Sequence, residues 1–281
     1  MSDRKVALIT GCSDPSSLGA AMALELLARG WKVYASAIEV DSMQDLENAG
    51  CSIIQLDVTS SEDIRAASVL VGDRLDLLIN NAAVEGLGPL LDTDPARLLE
   101  MYRVNVFGPL NLTQALSEAL IQSKGCVVNI GSVGVYGLPF HGAYASSKAA
   151  FQILSDVLRR ETAPLGLRVI TVELAMVLTA MLRAENPFPI TLPPSERSSS
   201  FATWYTTIAP LYRKDIEKRS VQAMSARKAA EQIIDAVEKR DGGGKIWVGT
   251  MAWIFRWVWP VLSTWRQDKI NSDLLHVDLL K

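Results

Sequence analysis

The sequence predicts a doubly wound α/β domain, with a seven-stranded parallel sheet covered by helices on both faces. Three observations carry this. Short apolar runs alternate with helical patterns along most of the 281 residues. The runs are continuously apolar rather than alternating, as strands buried on both faces are. A glycine-bearing loop joins the first run to the first helix.

Taken in order, residues 6–10 form the first strand and end at Gly11. Residues 20–29 are rich in alanine and leucine and form a helix, with Gly30 after it as a C-cap. Strand two is 32–37, a short helix is 42–49 and strand three is 52–56. Residues 61–71 are helical, with Ser60 or Ser61 as N-cap. Strand four is 75–79. Residues 95–123 carry one or two helices, interrupted at Gly108-Pro109. Strand five is 126–130. A long helix over 143–163 stops at Pro164-Leu165-Gly166, and strand six is 167–174. A helix over 225–239 and the run Gly242-Gly243-Gly244 lead to strand seven, 245–248. Residues 186–200 are rich in proline and serine, have no period, and predict a loop or lid. No linker separates two apolar cores. Residues 1–249 therefore read as one unit, with a substrate lid at about 180–222, and 250–281 as an extension. The stretch 247–265 holds five of the seven tryptophans.

Composition sets limits. Residues are 49% hydrophobic and the net charge is −3, so no basic face for a nucleic acid is expected. Cys12, Cys51 and Cys126 are odd in number and lack metal-ligand spacing, which fits a reduced, cytoplasmic compartment. His141 and His276 cannot build a zinc site alone, and no metal is expected. The apolar run after Lys5 is too short for a signal-peptide core.

The stretch from Thr10 to Gly19, Thr-Gly-Cys-Ser-Asp-Pro-Ser-Ser-Leu-Gly, lies where a dinucleotide pyrophosphate needs bare amides and a helix N-terminus. Gly11 permits the tight turn and Gly19 lets the helix pack close to the sheet; an ordinary βα turn is the alternative. Ala37 and Ile38 occupy the position after strand two. The missing carboxylate counts against NAD(H), and the missing arginine leaves NADP(H) without its usual partner. Lys32, Ser13 and Ser36 are candidate phosphate neighbours; Asp14 and Glu39 are objections. Asp57, in Leu56-Asp57-Val58, can accept from an adenine amino group or serve as a turn aspartate. Asn80-Asn81-Ala82-Ala83 ends strand four with small residues that allow close approach, and Asn81 can satisfy backbone groups at the sheet edge.

Tyr144 and Lys148 stand at i and i+4 on one helical face. Hydride transfer to a carbonyl leaves an alkoxide that needs a proton. A phenol with a pKa near ~10 becomes a useful donor when an ammonium one turn away stabilises its phenolate. The same ammonium can hold ribose hydroxyls, and Ser132, just after strand five, can donate to the substrate oxygen. A solvated helix face is the alternative for such a pair standing alone.

With these residues in order, the chain up to about residue 249 resembles a classical short-chain dehydrogenase/reductase. The resemblance implies a Rossmann fold and a tetrad of Asn105, Ser132, Tyr144 and Lys148, in which Asn105 bends its helix and holds a water in a relay through Lys148. It implies cofactor contacts from Gly11, Ser13, Ser17, Leu18 and Gly19, from Ile38, Asp57 and Val58, and from Asn81 and Ala82. Tyr144, Lys148, Ala175, Val177 and Thr179 complete that set. The chain departs from the family pattern at Ser17 (the middle glycine), at about two extra loop residues around Asp14-Pro15, at Ala83, and at Leu174-Ala175 in place of Pro-Gly. The Thr-Gly-Cys-Ser opening and the tryptophan-rich end are similar to the branch of acyl-dihydroxyacetone-phosphate reductases and hydroxysteroid dehydrogenases. That branch implies a lipophilic ketone or alcohol, with NADP(H) favoured over NAD(H), and the family implies a homodimer or homotetramer through the long central helices. Phe188, Phe201, Trp204 and Tyr205 are wall candidates or plain core. Residues 251–265 are shorter than the ~20 of a spanning helix; they form a peripheral membrane contact, an entry gate or a packed C-terminal helix. The rival readings are an isomerase, dehydratase or cyclase without net redox, and a non-catalytic binding protein.

Overall fold

The computed structural model describes residues 4–183, 188–239 and 243–280. Met1, Asn186 and Gly242, which entered the expectations above, lie outside the described residues. Seven parallel strands form the sheet: β1 (Val6–Thr10), β2 (Lys32–Ala37), β3 (Ser52–Gln55), β4 (Leu77–Asn80), β5 (Cys126–Ile130), β6 (Arg168–Leu174) and β9 (Gly244–Val248). Their order is β3-β2-β1-β4-β5-β6-β9. The chain reverses direction across the sheet between β1 and β4, which opens a crevice at the carboxyl ends of those strands.

Continuous apolarity in the strands follows from burial on both faces. In β1, Ala7 and Ile9 face one core and Leu8 the other; in β4, Leu77 and Ile79 oppose Leu78. On the first face pack α1 (Leu18–Ala28), α2 (Gln44–Ala49) and the later helix α10 (Ala226–Lys239); on the second, α3 (Ser61–Val71), α5 (Gly108–Ala115), α6 (Ser117–Gln122) and α7 (Gly142–Thr162). Ser17 caps α1 by accepting the Ala20 N–H, and Ser60, not Ser61, caps α3 by accepting that of Asp63. Gly30 follows α1 with φ +82°, a conformation costly for other residues.

The stretch expected over 95–123 is α4 (Pro95–Tyr102), a π turn at Arg103–Phe107, then α5 and α6. The Gly108 N–H bonds the Arg103 carbonyl across the wide turn. Pro109 has no N–H to continue the ladder, so the widening falls just before it. Strand β4 starts two residues later than expected. Leu75 instead donates its N–H to Ala119, and Asp76 accepts the Val6 N–H on its carboxylate at 2.9 Å.

The lid region contains two-residue strands β7 (Val177–Leu178) and β8 (Met224–Ser225), paired in parallel. It also holds α8 (Ala180–Arg183) and α9 (Ala209–Ser220), the latter preceded by a π turn at Trp204–Ile208. The tryptophan-rich end folds as a π turn (Ile254–Val258), a 3-10 turn (Trp259–Val261) and α11 (Thr264–Leu274). Among the described residues no helix is long and apolar enough to cross a membrane.

Two contacts on one seam separate packing from charge. Ile233 of α10 is fully buried in the core shared with α1. Nearby, the Arg29 guanidinium meets Glu25, Asp235 and Glu238, each at 2.7 Å, at the protein surface. Ile233→Ala is expected to cost about 2–5 kcal/mol, whereas Arg29→Ala is expected to cost about 1 kcal/mol or less. Urea unfolding midpoints of the two variants check this order.

Candidate active site

The crevice is built by two loops locked together. Thr10 Oγ accepts the N–H groups of Asn81 and Ala82, both at 3.0 Å. In return, Asn81 Nδ2 donates to the carbonyls of Thr10 at 2.9 Å and Gly11 at 3.0 Å. Gly11 has φ +74°, and a Cβ there would lie 2.9 Å from Ala82 Cα. A Cβ on Gly19 would lie 2.4 Å from the Gly11 carbonyl oxygen. Both glycines are therefore demanded by close backbone approach.

Beside them runs a groove of about 480 Å³. Gly11, Ser13, Ser17 and Leu18 line it from the first loop, with Ile38 and Glu39 beyond β2 and Asp57 and Val58 beyond β3. Asn81, Ala82, Ala83 and Val84 line it beyond β4; Tyr144, Lys148, Thr179 and Met181 close the other end. Three residues expected here are elsewhere. Gly19 packs behind Gly11, Val177 is buried in the core, and Ala175 donates its N–H to Val248. Leu174 and Thr179 take the wall positions beyond β6.

The groove fits a nicotinamide dinucleotide. It runs from the first loop and the N-terminus of α1, past the ends of β2 and β3, to Tyr144 and Lys148. Asp57 spends one carboxylate oxygen on the N–H and O–H of Thr59, each at 2.8 Å. Two residues expected near a 2′-phosphate are not available. The Ser36 hydroxyl is buried on the Ile9 carbonyl at 3.0 Å, and the Lys32 ammonium, at the far end of β2, sits 2.6 Å from the Tyr34 hydroxyl. Asp14 folds onto the Ser16 N–H and hydroxyl, both at 2.6 Å, and does not line the groove. Ser13 and Glu39 are left at that end.

Tyr144 and Lys148 lie one turn apart on α7 and face the same groove. Lys148 is 3% exposed and donates to the Ile130 carbonyl at 2.9 Å; its Nζ is 5.8 Å from the Tyr144 ring centre. Burial pushes the ammonium down to about 8, against the pull of Glu85 and Glu173. The phenol behaves opposite to the sequence expectation. Burial and the Glu85 charge raise Tyr144 above its ordinary value, and only the Ser132 hydrogen bond opposes them. Desolvation outweighs the neighbouring ammonium because a phenolate here has lost its water. Ser132 also accepts the Gly134 N–H at 2.9 Å. A Cβ at Gly134 would lie 3.1 Å from Ser132 Oγ and 3.3 Å from Tyr144 Cε1, so a side chain here would press on both catalytic residues.

Asn105 stands in the π turn, 1% exposed. Its Oδ1 accepts the Val84 N–H at 2.9 Å, and its Nδ2 donates to the Val84 carbonyl at 2.9 Å and to Ser147 Oγ at 3.0 Å. The side chain clamps the loop after β4 to α7, and the helix is widened at this point rather than broken.

Of the expected wall residues, Phe188 packs against the cluster of Met101, Ala143, Tyr144 and Ile190. Trp204 is buried and stacks on Phe140 with centroids 3.9 Å apart. Tyr205 donates to Asp92 Oδ2 at 2.9 Å, and Phe201 is half-buried. Phe255 and Trp259 of the C-terminal segment pack on Tyr136, next to the Ser132 loop. Trp253, Trp257 and Trp265 stay 61–68% exposed. Among the described residues no group of three or more His, Cys, Asp or Glu could hold a metal.

Sequence reasoning missed three polar residues beside the site: Glu85, His141 and Tyr212. Glu85 acts on Tyr144, Lys148 and Tyr212 through its charge. The one signal for it was an acid among small and apolar residues right after the Asn-Asn-Ala-Ala motif. For His141 the signal was its place three residues before Tyr144.

The profile of the family described as short chain dehydrogenase matches residues 5–189. The chain is 37% identical to short-chain dehydrogenase PC-15 of Penicillium crustosum, over 91% of this chain and 92% of that one. It is 35% identical to short-chain dehydrogenase ptmH of Penicillium ochrochloron, over 97% and 98%. Among solved structures, it matches a short-chain dehydrogenase from Streptomyces avermitilis at TM-score 0.78 and 28% identity, covering 99% and 97%. One from Burkholderia cenocepacia J2315, in complex with NADP, matches at 0.72 and 26%, covering 97% and 98%.

Replacing Asn105 by alanine strands both backbone groups of Val84. Asn105→Ala is expected to lose about 2–4 kcal/mol of stability, the cost of buried groups left without partners. The urea unfolding midpoint measures it.

Proposed function

Since this chain belongs to the short-chain dehydrogenase family, an oxidoreductase family, we propose that it reduces a lipophilic ketone, or oxidises the matching alcohol, with NADP(H) in preference to NAD(H). The observation that carries the reading is that Tyr144 and Lys148 face one groove, with Ser132 against the phenol.

In this mechanism the first loop, the N-terminus of α1, Asp57 and Thr179 would hold the dinucleotide. When bound, that cofactor supplies the hydride for reduction and takes it in oxidation. Ser132 donates to the carbonyl oxygen and orients it. Tyr144, kept neutral by burial, donates its proton to the forming alkoxide. Lys148 stabilises the phenolate left behind, and the Ile130 carbonyl fixes where that charge sits.

Support for NADP(H) comes from Ala37 and Ile38, which put no carboxylate directly after β2, and from the NADP held by the Burkholderia relative. Glu39 is the one acid on that stretch of the groove. Support for a lipophilic substrate comes from the apolar cluster around Tyr144, on which Phe188 packs, and from the aromatic cluster of Tyr136, Phe255 and Trp259 beside Ser132. The exposed Trp253, Trp257 and Trp265 suit an entry route at a membrane interface.

Tyr144→Phe is expected to lower turnover by about a hundredfold or more while NADPH still quenches or shifts protein fluorescence; undiminished turnover removes Tyr144 from the chemistry. Reduction needs the Lys148 ammonium, which is present below about 8 and lost above it. The rate of NADPH-dependent reduction is therefore expected to fall as pH rises through that value, read from a pH–rate profile.

A further inference from the structure

Three polar side chains from three separate elements meet next to Tyr144: Glu85 from the loop after β4, His141 at the start of α7, and Tyr212 from α9. His141 is buried, and its Nδ1–H donates to the Pro139 carbonyl at 3.0 Å. A carbonyl only accepts, so that contact fixes the tautomer and leaves Nε2 as a lone pair in the neutral ring. Burial lowers the His141 pKa and keeps the ring neutral. The Tyr212 hydroxyl donates to this lone pair at 3.1 Å, with the rings edge to face. Glu85 Oε1 stands 3.7 Å from the same nitrogen, too far for a hydrogen bond.

The count of donors and acceptors does not close. The one lone pair of His141 is taken and its one N–H is spent. The Tyr212 proton is committed to His141. The Lys148 ammonium is close enough to act on Glu85 by charge, but it donates to Ile130. Among the described residues no donor reaches the Glu85 carboxyl. Burial accordingly pushes this acid up to about 7, with Lys148 pulling the other way. An acceptor group with no donor, 27% exposed beside the catalytic tyrosine, is an incomplete arrangement that an incoming O–H completes.

Its surroundings place it on the substrate side. Phe188, which packs against the apolar cluster that includes Tyr144, donates its N–H to the Glu85 carbonyl at 2.9 Å. Tyr212 lines a second cavity of about 350 Å³ under the lid, shared with Phe188 and Trp204. The cluster thus stands between the catalytic groove and the lid cavity, whose wall beside Tyr212 includes the apolar Phe188, Ile190 and Trp204. The geometry points to Glu85, with Tyr212 and His141 behind it, as a polar subsite that receives a hydroxyl group of the substrate while the carbonyl faces Tyr144. This rests on the ketone-reductase reading above and narrows its substrate class to hydroxylated, otherwise lipophilic ketones. Glu85 supplies the acceptor; Tyr212 and His141 hold the array in register, and the second lone pair of the Tyr212 oxygen adds an acceptor.

The test compares acetophenone with its ortho-, meta- and para-hydroxy isomers, in binding to the NADPH-loaded enzyme and in NADPH-dependent turnover. At least one isomer is expected to bind about tenfold or more tighter than acetophenone, the worth of a hydrogen bond to a charged or nearly charged acceptor. Glu85→Leu and Tyr212→Phe are expected to remove that advantage, so that within each variant the preferred isomer binds within about twofold of acetophenone. Two results overturn the subsite: no isomer preferred over acetophenone, or a preference that survives Glu85→Leu with the fold intact by circular dichroism. Preferential binding that depends on Glu85 without any turnover supports the subsite and counts against the reductase reading instead. Turnover of all four ketones at equal efficiency does the reverse.

Discussion

The site depends on a cation buried where water cannot reach it. The Lys148 ammonium keeps one hydrogen bond, to the last carbonyl of β5, and its pKa falls because that bond and two distant carboxylates do not replace full hydration. A charge in such a place is useful only if it cannot wander, and the end of β5 is tied down by side-chain bonds on both sides. Asn80 Nδ2 donates to Asn129 Oδ1 at 2.8 Å and to Thr113 Oγ1 at 3.1 Å, while Asn129 Nδ2 donates to Ser155 Oγ at 2.8 Å. This buried polar chain ties β4, β5, α5 and α7 together directly beneath Lys148. In low dielectric each of these bonds is costly to leave unmade, so the chain fixes one register of α7 against the sheet.

The cofactor side uses a different device. There, two loops approach so closely that a single carbon is too much. Gly11 and Gly19 leave the backbone bare, and Thr10 and Gly11 exchange four bonds with Asn81 and Ala82 across the gap. The extra loop residues around Asp14 close on themselves, with Ser16 folded onto the Asp14 carboxylate. Ser17, which stands where a glycine was expected, spends its hydroxyl on capping α1. The departure therefore strengthens the helix start whose amides face the groove.

What could be read from the sequence follows the range of the forces involved. Strands with both faces buried announce themselves as apolar runs, and β1, β2 and β5 were placed to the residue. The Tyr144–Lys148 pair is local, one turn of one helix, and its meaning could be read from spacing. Ser36 and Lys32 could not be placed, because a strand's two ends look alike in sequence. The π turn at Arg103–Phe107 was legible only as an interruption at Gly108-Pro109. The β7–β8 pair and the Glu85–His141–Tyr212 cluster were not legible at all, since each joins residues far apart in the chain. Asn105 reached the candidate set only through family resemblance, and nothing in its sequence surroundings announced that its side chain clamps the loop after β4 to α7.

The electrostatics of the site also lean in one direction. Burial raises Tyr144, raises Glu85 and lowers Lys148, so each group is moved toward its uncharged form. The Glu85 charge opposes ionisation of the phenol and favours the ammonium, so an ionised Glu85 holds Tyr144 as a proton donor and Lys148 as a cation at once. That combination is what carbonyl reduction starts from. Alcohol oxidation starts from the phenolate, which this environment resists. A hydroxyl bound to the Glu85 carboxylate stabilises its ionised form and so reinforces the same state. Substrate recognition and readiness for reduction are, in this arrangement, two consequences of one carboxyl group placed where the protein gives it no hydrogen.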